Sequence, residues 1–466
     1  MGAAVAVLEA LRNELLLFAG VGLLLGGLDD LLLDLLYGVR RGWRALTVYR
    51  RIPRMTARDL PPAGAAGPIA IFVPAWDEAA VIGRMLRGCL DAWRDEDLHI
   101  FVGAYPNDRA TIDAVADVAA GPGAGRVTLV VNARPGPTTK ADCLNHLWRA
   151  LRRWESAEGR TALAVVLHDA EDAVHRDALR LIGLLAPRFA LVQLPVLPLV
   201  SARSRWLAGH YCDEFAEAHG KALLVREALG AALPSAGVGC GFNRAALGAV
   251  AAARGDRPFD AASLTEDYEL GLRLGQDGGR GALVRMRDAD GGLIATREYF
   301  PDTLAAAVRQ KARWTVGIAL AGWDRIGWSG RWRERWMRLR DRRAALAALV
   351  LFAAYAGLAL GVLADGAALL LGRPSAPWPA PLPLLLAATT ALLAWRLGVR
   401  MLFVWRAYGP AEALRSVPRA LIANIIAMMA ARRAVLLYWR HLRGGQALAW
   451  DKTRHRFPME TAEARR

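Results

Sequence analysis

Ala162-Leu163-Ala164-Val165-Val166-Leu167-His168-Asp169-Ala170-Glu171-Asp172 is a short apolar run that ends abruptly in a histidine and three acids. A run of this length and β-branched content reads as a buried strand, and the carboxyl end of a strand in a parallel sheet is where ligands gather. Asp169 and Glu171, two apart in a loop, can both face a hard cation that takes oxygen ligands and bridges phosphates. The other reading is a solvated acidic turn. Outward from this stretch, residues 69–74, 99–105, 126–132 and 190–196 form further short apolar runs, separated by amphipathic stretches at 79–93 and 140–154. Strand-helix alternation of this kind predicts an α/β domain, a mostly parallel sheet with helices on both faces.

Four more clusters are candidates for chemistry. Val73-Pro74-Ala75-Trp76-Asp77-Glu78 ends the first strand and sets Glu78 where a crevice at the sheet edge would hold a base or ribose. A helix start that favours acids through its dipole is an equal reading. Thr138-Thr139-Lys140-Ala141-Asp142 opens a helix after Gly136-Pro137, and helix-start amides with a lysine make an anion site. An ordinary capped helix with a surface lysine stays open. Ser263-Leu264-Thr265-Glu266-Asp267 opens another helix. Ser263 or Thr265 can simply cap it, or Asp267 can accept a proton from an attacking hydroxyl. On a helix expected over 302–322, Gln310, Arg313 and Trp314 share one face, an amide, a guanidinium and an indole suited to phosphate oxygens and the apolar face of a sugar. A helix lying on a membrane fits the same residues.

Of the 466 residues, 54% are hydrophobic, above the roughly 45 to 50% usual for soluble domains. The excess sits at 15–37, 344–371 and 382–405, each able to supply the ~20 apolar residues of a membrane span. Arg40, Arg41, Arg44, Arg50, Arg51, Arg54 and Arg58 follow the first segment, so its carboxyl end is expected inside and the N-terminus outside. Three spans leave the C-terminus inside. The stretch 419–439, interrupted by Arg432 and Arg433, is expected as an interfacial helix, because a fourth span would put Arg440, His441, Arg443, Lys452, Arg454 and Arg456 outside. Residues 331–343 read as an in-plane helix. The resulting division is 1–58, 59–330 and 331–466.

The formal charge of +16 is assigned to topology and anionic lipid, with no nucleic acid, since no zinc-ligand spacing or aromatic RNA-binding motif occurs. The first segment, with Glu9 and Glu14 ahead and Asp29, Asp30 and Asp34 within, is expected to stay as an anchor instead of being cleaved. Cys89, Cys143, Cys212 and Cys240 lack metal-ligand spacing and are expected as free thiols. Acids inside a span usually face a partner; Arg396 and Arg400 are the candidates for Asp29 and Asp30, unless these acids mark the interfacial end of a shorter span.

These residues together resemble the membrane-bound family 2 glycosyltransferases, the group of cellulose and hyaluronan synthases, over about 69–314. Val73 to Glu78 stands for that family's first-strand Pro-x-x-Asn-Glu, and Lys140-Ala141-Asp142-Cys143-Leu144-Asn145 for its Lys-Ala-x-x-Leu-Asn. Asp169-Ala170-Glu171 stands for Asp-x-Asp, Thr265-Glu266-Asp267 for Thr-Glu-Asp, and Gln310 to Trp314 for Gln-x-x-Arg-Trp. Gly239-Cys240-Gly241 with Arg244 is similar to the acceptor-floor loop.

Within the group the chain is most similar to the phage adsorption protein B type, through Gly27-Leu28-Asp29-Asp30, Val102 to Asp108, His168 to Asp172 and the tail Trp450-Asp451-Lys452-Thr453. Some members carry a further C-terminal nucleotide-sensing module, which is not expected in a sequence ending at Arg466.

The resemblance implies a GT-A fold beside transmembrane and interfacial helices in a bacterial inner membrane, with the catalytic domain cytoplasmic. It implies inverting transfer from a nucleoside diphosphate sugar, UDP-linked in the first instance, to a growing surface or exopolysaccharide glycan. Asp267 with Glu266 would be catalytic, and Mg2+ or Mn2+ would sit on Asp169 and Glu171. Glu78, Asp108, Lys140, Asp142 and Asp169 would hold the donor, and Gly239, Cys240, Gly241, Gln310, Arg313 and Trp314 the acceptor and diphosphate. An export or outer-membrane partner would carry the product. Two departures stand out: Gly103-Ala104 occupies the place of the family's base-binding aspartates, leaving Asp108, and Glu171 replaces an aspartate. Transfer of one sugar to a polyprenyl phosphate, and a non-catalytic scaffold or phage-receptor component, are the alternatives.

Overall fold

The computed structural model describes residues 2–65, 67–372, 374, 377–444 and 457–458. Strands β1 (Ile69–Pro74) and β2 (Leu98–Ala104) are buried at every residue, which requires cover on both faces and explains their unbroken apolar runs. With β3 (Val127–Val131), β4 (Ala164–Leu167), β5 (Leu191–Gln193), β6 (Cys240–Asn243) and β7 (Gly281–Leu283) they form one sheet ordered β3-β2-β1-β4-β6-β5-β7. All neighbours run parallel except β6, which lies antiparallel between β4 and β5.

The helices follow in chain order: α1 (Gly2–Thr47), α2 (Ile82–Ala92), α3 (Arg109–Ala120), α4 (Lys140–Glu158), α5 (Ala178–Leu185), α6 (Gly209–Glu217), α7 (Leu223–Ala228), α8 (Arg244–Ala252) and α9 (Glu266–Gln276). Then come α10 (Leu304–Trp314), α11 (Gly322–Ile326), α12 (Trp332–Arg342), α13 (Ala344–Leu370), α14 (Pro381–Tyr408) and α15 (Pro410–Gly444). Because side chains alternate along a strand, Ile69, Ile71 and Val73 meet α2, α3 and α5 on one face, while Ala70 and Phe72 meet α4, α8 and α9 on the other. The parallel sheet with two helical layers matches the expectation.

Three local readings need correction. The helix expected over 302–322 is α-helical only to Trp314; Thr315–Ala321 is a π-helical stretch leading into α11. Cys240 and Gly241, read as a loop, belong to the buried antiparallel strand β6, too short to show a period of two. Gly103 has no side chain because α4 presses on β2 there: a Cβ would lie 2.4 Å from Cys143 Sγ. The aspartate usual at that place is therefore excluded by packing. All four cysteines are buried free thiols.

Among the described residues four helices are long and apolar enough to cross a membrane, Ala4–Thr47, α13, α14 and α15. The fourth was read from sequence as interfacial over 419–439; it runs unbroken through Arg432 and Arg433 from Pro410 to Gly444. It packs along the sheet domain: Arg419 meets Asp213 of α6, Ile426 joins the cluster of Tyr211 and Phe300, Ala430 and Ala434 face Ala312 and Val316, and Tyr438 donates to Asp324 of α11 at 3.2 Å.

Asp29, Asp30 and Asp34 of α1 are all paired, Asp34 with Lys221. Asp29 accepts from Trp336 Nε1 at 2.6 Å and pairs with Arg340 and with Arg343, the latter at 2.6 Å; Asp30 pairs with Arg340 at 2.9 Å, Arg343 at 2.6 Å and Arg396. Arg396 is thus a partner as expected, but Arg400 is not: one turn further along α14, it reaches Glu217 of α6 at 3.3 Å. The main partners come from α12, which sequence alone did not connect to α1. The motif Trp450 to Thr453, with Arg454, Arg456, Arg373 and Arg466, lies outside the described residues.

Candidate active site

β4 ends at Leu167 and hands the chain to a tightly tied acidic loop. His168 Nδ1 and Asp172 Oδ2 are 2.6 Å apart, both side chains buried, and Asp172 Oδ2 also accepts from the Asp169 amide at 3.2 Å. Trp93 packs on the His168 ring. Burial drives the imidazole down to about 4 and the Asp172 carboxyl well above the usual range, the latter helped by Asp169. With the loop closed from behind, Asp169 and Glu171 are left to line the cavity at the sheet's carboxyl edge.

Across from them α4 begins. Thr139 Oγ1 caps it by accepting from the Asp142 amide at 3.2 Å, and Lys140 Nζ donates to Asp169 Oδ1 at 2.5 Å. Burial opposes the ammonium charge, yet Asp169, Glu266 and Asp267 hold its pKa above the ordinary lysine range. The ammonium shows that this corner accepts a cation beside carboxylate oxygen.

Glu266 and Asp267 stand in the first turn of α9. Thr265 occupies the cap position without a side-chain cap bond, so the capping role considered for it is not filled. Ser263 Oγ instead accepts from the Thr265 amide at 3.2 Å. Burial, then Asp267, pushes Glu266 up to about 7; burial also raises Asp267, opposed by Lys140. The turn facing Asp267 has to be glycine: Gly237 has φ 78°, and a Cβ there would lie 2.2 Å from Asp267 Oδ2. Gln193 fixes that turn, donating to the Val238 carbonyl at 3.0 Å and accepting from the Ala236 amide at 2.8 Å.

The third wall is α10. Gln310, Arg313 and Trp314 line the cavity, and Gln310 Oε1 has no hydrogen-bond partner among the described residues. Trp314 belongs to an aromatic group with Tyr211, Phe215 and Phe300, at 6.1, 6.5 and 6.5 Å between ring centres. Phe215, Phe300 and Glu298 also line the cavity.

Of the residues singled out from sequence, Glu78, Lys140, Asp169, Glu171, Glu266, Asp267, Gln310, Arg313 and Trp314 share this one cavity. Asp108, Asp142, Gly239, Cys240 and Gly241 do not line it. Asp108 has both oxygens on backbone, accepting from the Asp77 amide at 2.6 Å and the Thr111 amide at 3.3 Å. Asp142 pairs with Arg134 at 3.0 Å, and Cys240 is buried behind the turn, receiving Ser235 Oγ at 3.1 Å. Sequence reasoning missed Phe215, Glu298, Phe300, Gly237 and Gln193. Glu298 and Phe300, just ahead of α10, were within reach of inspection; the other three come from elements with no motif.

Among the described residues no group of three or more His, Cys, Asp or Glu forms a ready metal cluster. The pair Asp169 and Glu171 still suits an ion of the Mg2+ type, which keeps one or two protein carboxylates and takes its other oxygens from substrate phosphates and water.

A mostly parallel sheet with this acidic edge, set against long apolar helices, is the architecture of a GT-A glycosyltransferase associated with a membrane. Residues 66–317, more than half of the chain, match the family model described as "Glycosyltransferase like family 2", and the chain belongs to that family.

The chain is 39% identical over 469 residues to bacteriophage adsorption protein B of Escherichia coli (strain K12) and, equally, to bacteriophage N4 adsorption protein B of Escherichia coli O157:H7, covering 95% of this chain and 62% of each relative. It thus spans under two thirds of their length. Among solved structures it is similar to the mannosyltransferase PcManGT of Pyrobaculum calidifontis, in complex with GDP-Man and Mn2+: TM-score 0.50, 19% identity, 89% of this chain and 99% of that one. The resemblance drawn from motifs is therefore borne out at the level of family and relatives.

Proposed function

We propose that the protein transfers a sugar, with inversion, from a nucleoside diphosphate sugar to a hydroxyl of a growing bacterial surface glycan. The observation that carries this reading is the convergence on one cavity of a carboxylate pair with a lysine, a buried acid at a helix start, and an amide-guanidinium-indole face.

Asp267 takes the proton of the acceptor hydroxyl as its oxygen attacks the anomeric carbon; the bond to the diphosphate breaks on the opposite side and its electrons leave with the phosphate. Gly237 keeps the space in front of that base clear. Lys140 and Arg313 face the charge that develops on the leaving diphosphate, as preorganised cations in a site screened from water. Trp314 with Phe215 and Phe300 offers flat apolar faces to the acceptor's sugar rings. Asp169 and Glu171 would hold Mg2+ or Mn2+, which when bound neutralises diphosphate charge. Glu78, buried four residues beyond β1, would meet the nucleoside side of the donor.

The similarity to phage adsorption proteins motivates a surface glycan as product, and the apolar helices support a reaction at a bilayer. The catalytic domain is assigned to the cytoplasmic face of the inner membrane, where nucleotide sugars are made. Membranes containing the full chain should be incubated with UDP-glucose, UDP-N-acetylglucosamine and GDP-mannose, each radiolabelled and supplied with Mn2+. A ladder of products on a gel is the expected result. One lipid-extractable product of single-sugar size would favour a polyprenyl phosphate acceptor, and absence of both transfer and donor hydrolysis across a full nucleotide-sugar panel would favour a scaffold.

A further inference from the structure

One helical run, α6 through the π-helical stretch Ala218–Ala222 to α7, makes ion pairs with five other helices. Asp213 pairs with Arg419 of α15 at 3.3 Å, Glu214 with Lys311 of α10, Glu217 with Arg400 of α14 at 3.3 Å, Lys221 with Asp34 of α1, and Arg226 with Asp341 of α12 at 2.8 Å. Two of these contacts end beside residues that line the cavity. Lys311 lies beside Gln310 on α10, and Asp341 also accepts from the Tyr268 hydroxyl at 2.6 Å, directly after Asp267 on α9. On its inner side the same run gives Phe215 to the cavity wall. On its outer side Lys221 bridges Asp34 and Glu217, the latter at 2.7 Å, with the Lys221 side chain 4% and the Asp34 side chain 7% exposed.

Pairs as deeply buried as Lys221–Asp34 and Asp213–Arg419 are costly to leave half-made, so those partners move together or not at all. The π-helical stretch falls between the half that faces the cavity and the half that faces α12; such stretches are rare and gather at functional sites. Its widened turn is occupied from outside, Arg285 donating to the His219 carbonyl at 3.0 Å.

We propose that residues 209–228 form a strut through which the apolar helices α1 and α14 set the positions of α10 and α9, with Glu217 and Lys221 as positioning residues. The consequence for catalysis rests on the reading of α10 and α9 as clamp and base helices; the strut itself does not. A change in α1 or α14, from the bilayer or from a partner seated on them, would thereby reach the site without touching it.

The test is amide hydrogen exchange of the full chain in lipid nanodiscs, which needs no substrate and so separates failure of the strut from failure of the transfer reading. Lys221→Met should speed exchange in 304–314 and 266–276 by about five-fold or more, the low end of ordinary coupling between sites, with 109–120 of α3 unchanged. Lys221→Arg should behave as wild type. Because Lys221→Met leaves Asp34 buried without its cation, the double variant Lys221→Met with Asp34→Leu removes both charges; it should keep the fold and still speed exchange in α10 and α9. Unchanged exchange there in the folded double variant, or a rise shared equally by α3, would overturn the proposal.

Discussion

Lys140 and Asp267 govern each other's charge across the cavity, and that makes the base assignment testable by pH. Burial raises the Asp267 pKa while Lys140 lowers it. A general base works only when ionised, so the rate is full above its pKa and lost as pH falls through it. The acid limb of the kcat/KM profile should accordingly lie above the ordinary aspartate range. Lys140→Met removes the opposing cation, and the limb should move to higher pH; a limb that stays or moves down would remove Asp267 from the base role. Asp267→Asn should cut transfer by about a hundred-fold or more, while binding of UDP with Mn2+, followed by calorimetry, stays within a few-fold of wild type. The residues behind both predictions were legible in the sequence because each cluster is local: the acids of β4's loop and of α9's first turn follow directly from their elements. Their partners were not. Gly237 faces Asp267, and Gln193 fixes the turn that carries it, only because β5 and β6 are neighbours in the sheet.

At the scale of elements, legibility followed length and regularity. β1 to β5 lie within apolar runs of six or seven residues and the long apolar helices announce themselves likewise, whereas β6 and β7 lie in no such run and are fixed by their neighbours. The turn before β6 illustrates the cost of that gap, since Gly237 has a structural requirement as strict as that of Gly239, which the motif did point to. Gly237→Ala would combine a positive φ, about 1 to 2 kcal/mol against an L-residue, with a methyl group driven into Asp267. An activity loss of about ten-fold or more is expected from displacement of the base, beside a fall in Tm of only a few degrees from the strain. Equal losses of activity and folded fraction would mean that the turn matters only for folding.

A second test at this scale concerns α1 and α12. Asp30→Asn and Arg343→Gln should show a coupling of about 0.5 to 3 kcal/mol in a double-mutant cycle on unfolding in detergent. Asp30→Asn and Arg400→Gln should show less, because Arg400 spends its guanidinium on Glu217.

Across the whole molecule, charged layers bound an apolar slab. Arg12, 1% exposed, pairs with Asp365 at 3.4 Å and lies over the Trp378 ring, while Asp29 and Asp30 meet Arg340, Arg343 and Arg396. Along α1 the rise from Arg12 to Asp29 is about 26 Å at 1.5 Å per residue, close to the ~30 Å of a bilayer's hydrocarbon. The acids of α1 therefore fit the interfacial end of a shorter span better than the middle of a longer one. On this placement α15 is expected to lie along the interface. From Arg419 to Tyr438, about 28 Å of helix, it stays against α6, α10 and α11, and crossing would draw their charged groups into hydrocarbon.

Single cysteines labelled with a membrane-impermeant maleimide decide this, since the native cysteines are buried. Leu46→Cys and Leu442→Cys, at exposed positions on α1 and α15, should react in inside-out vesicles and Trp378→Cys only in spheroplasts. If Leu442→Cys instead reacts with Trp378→Cys, α15 spans the membrane, and the catalytic domain must be seated on the bilayer through the other three helices alone.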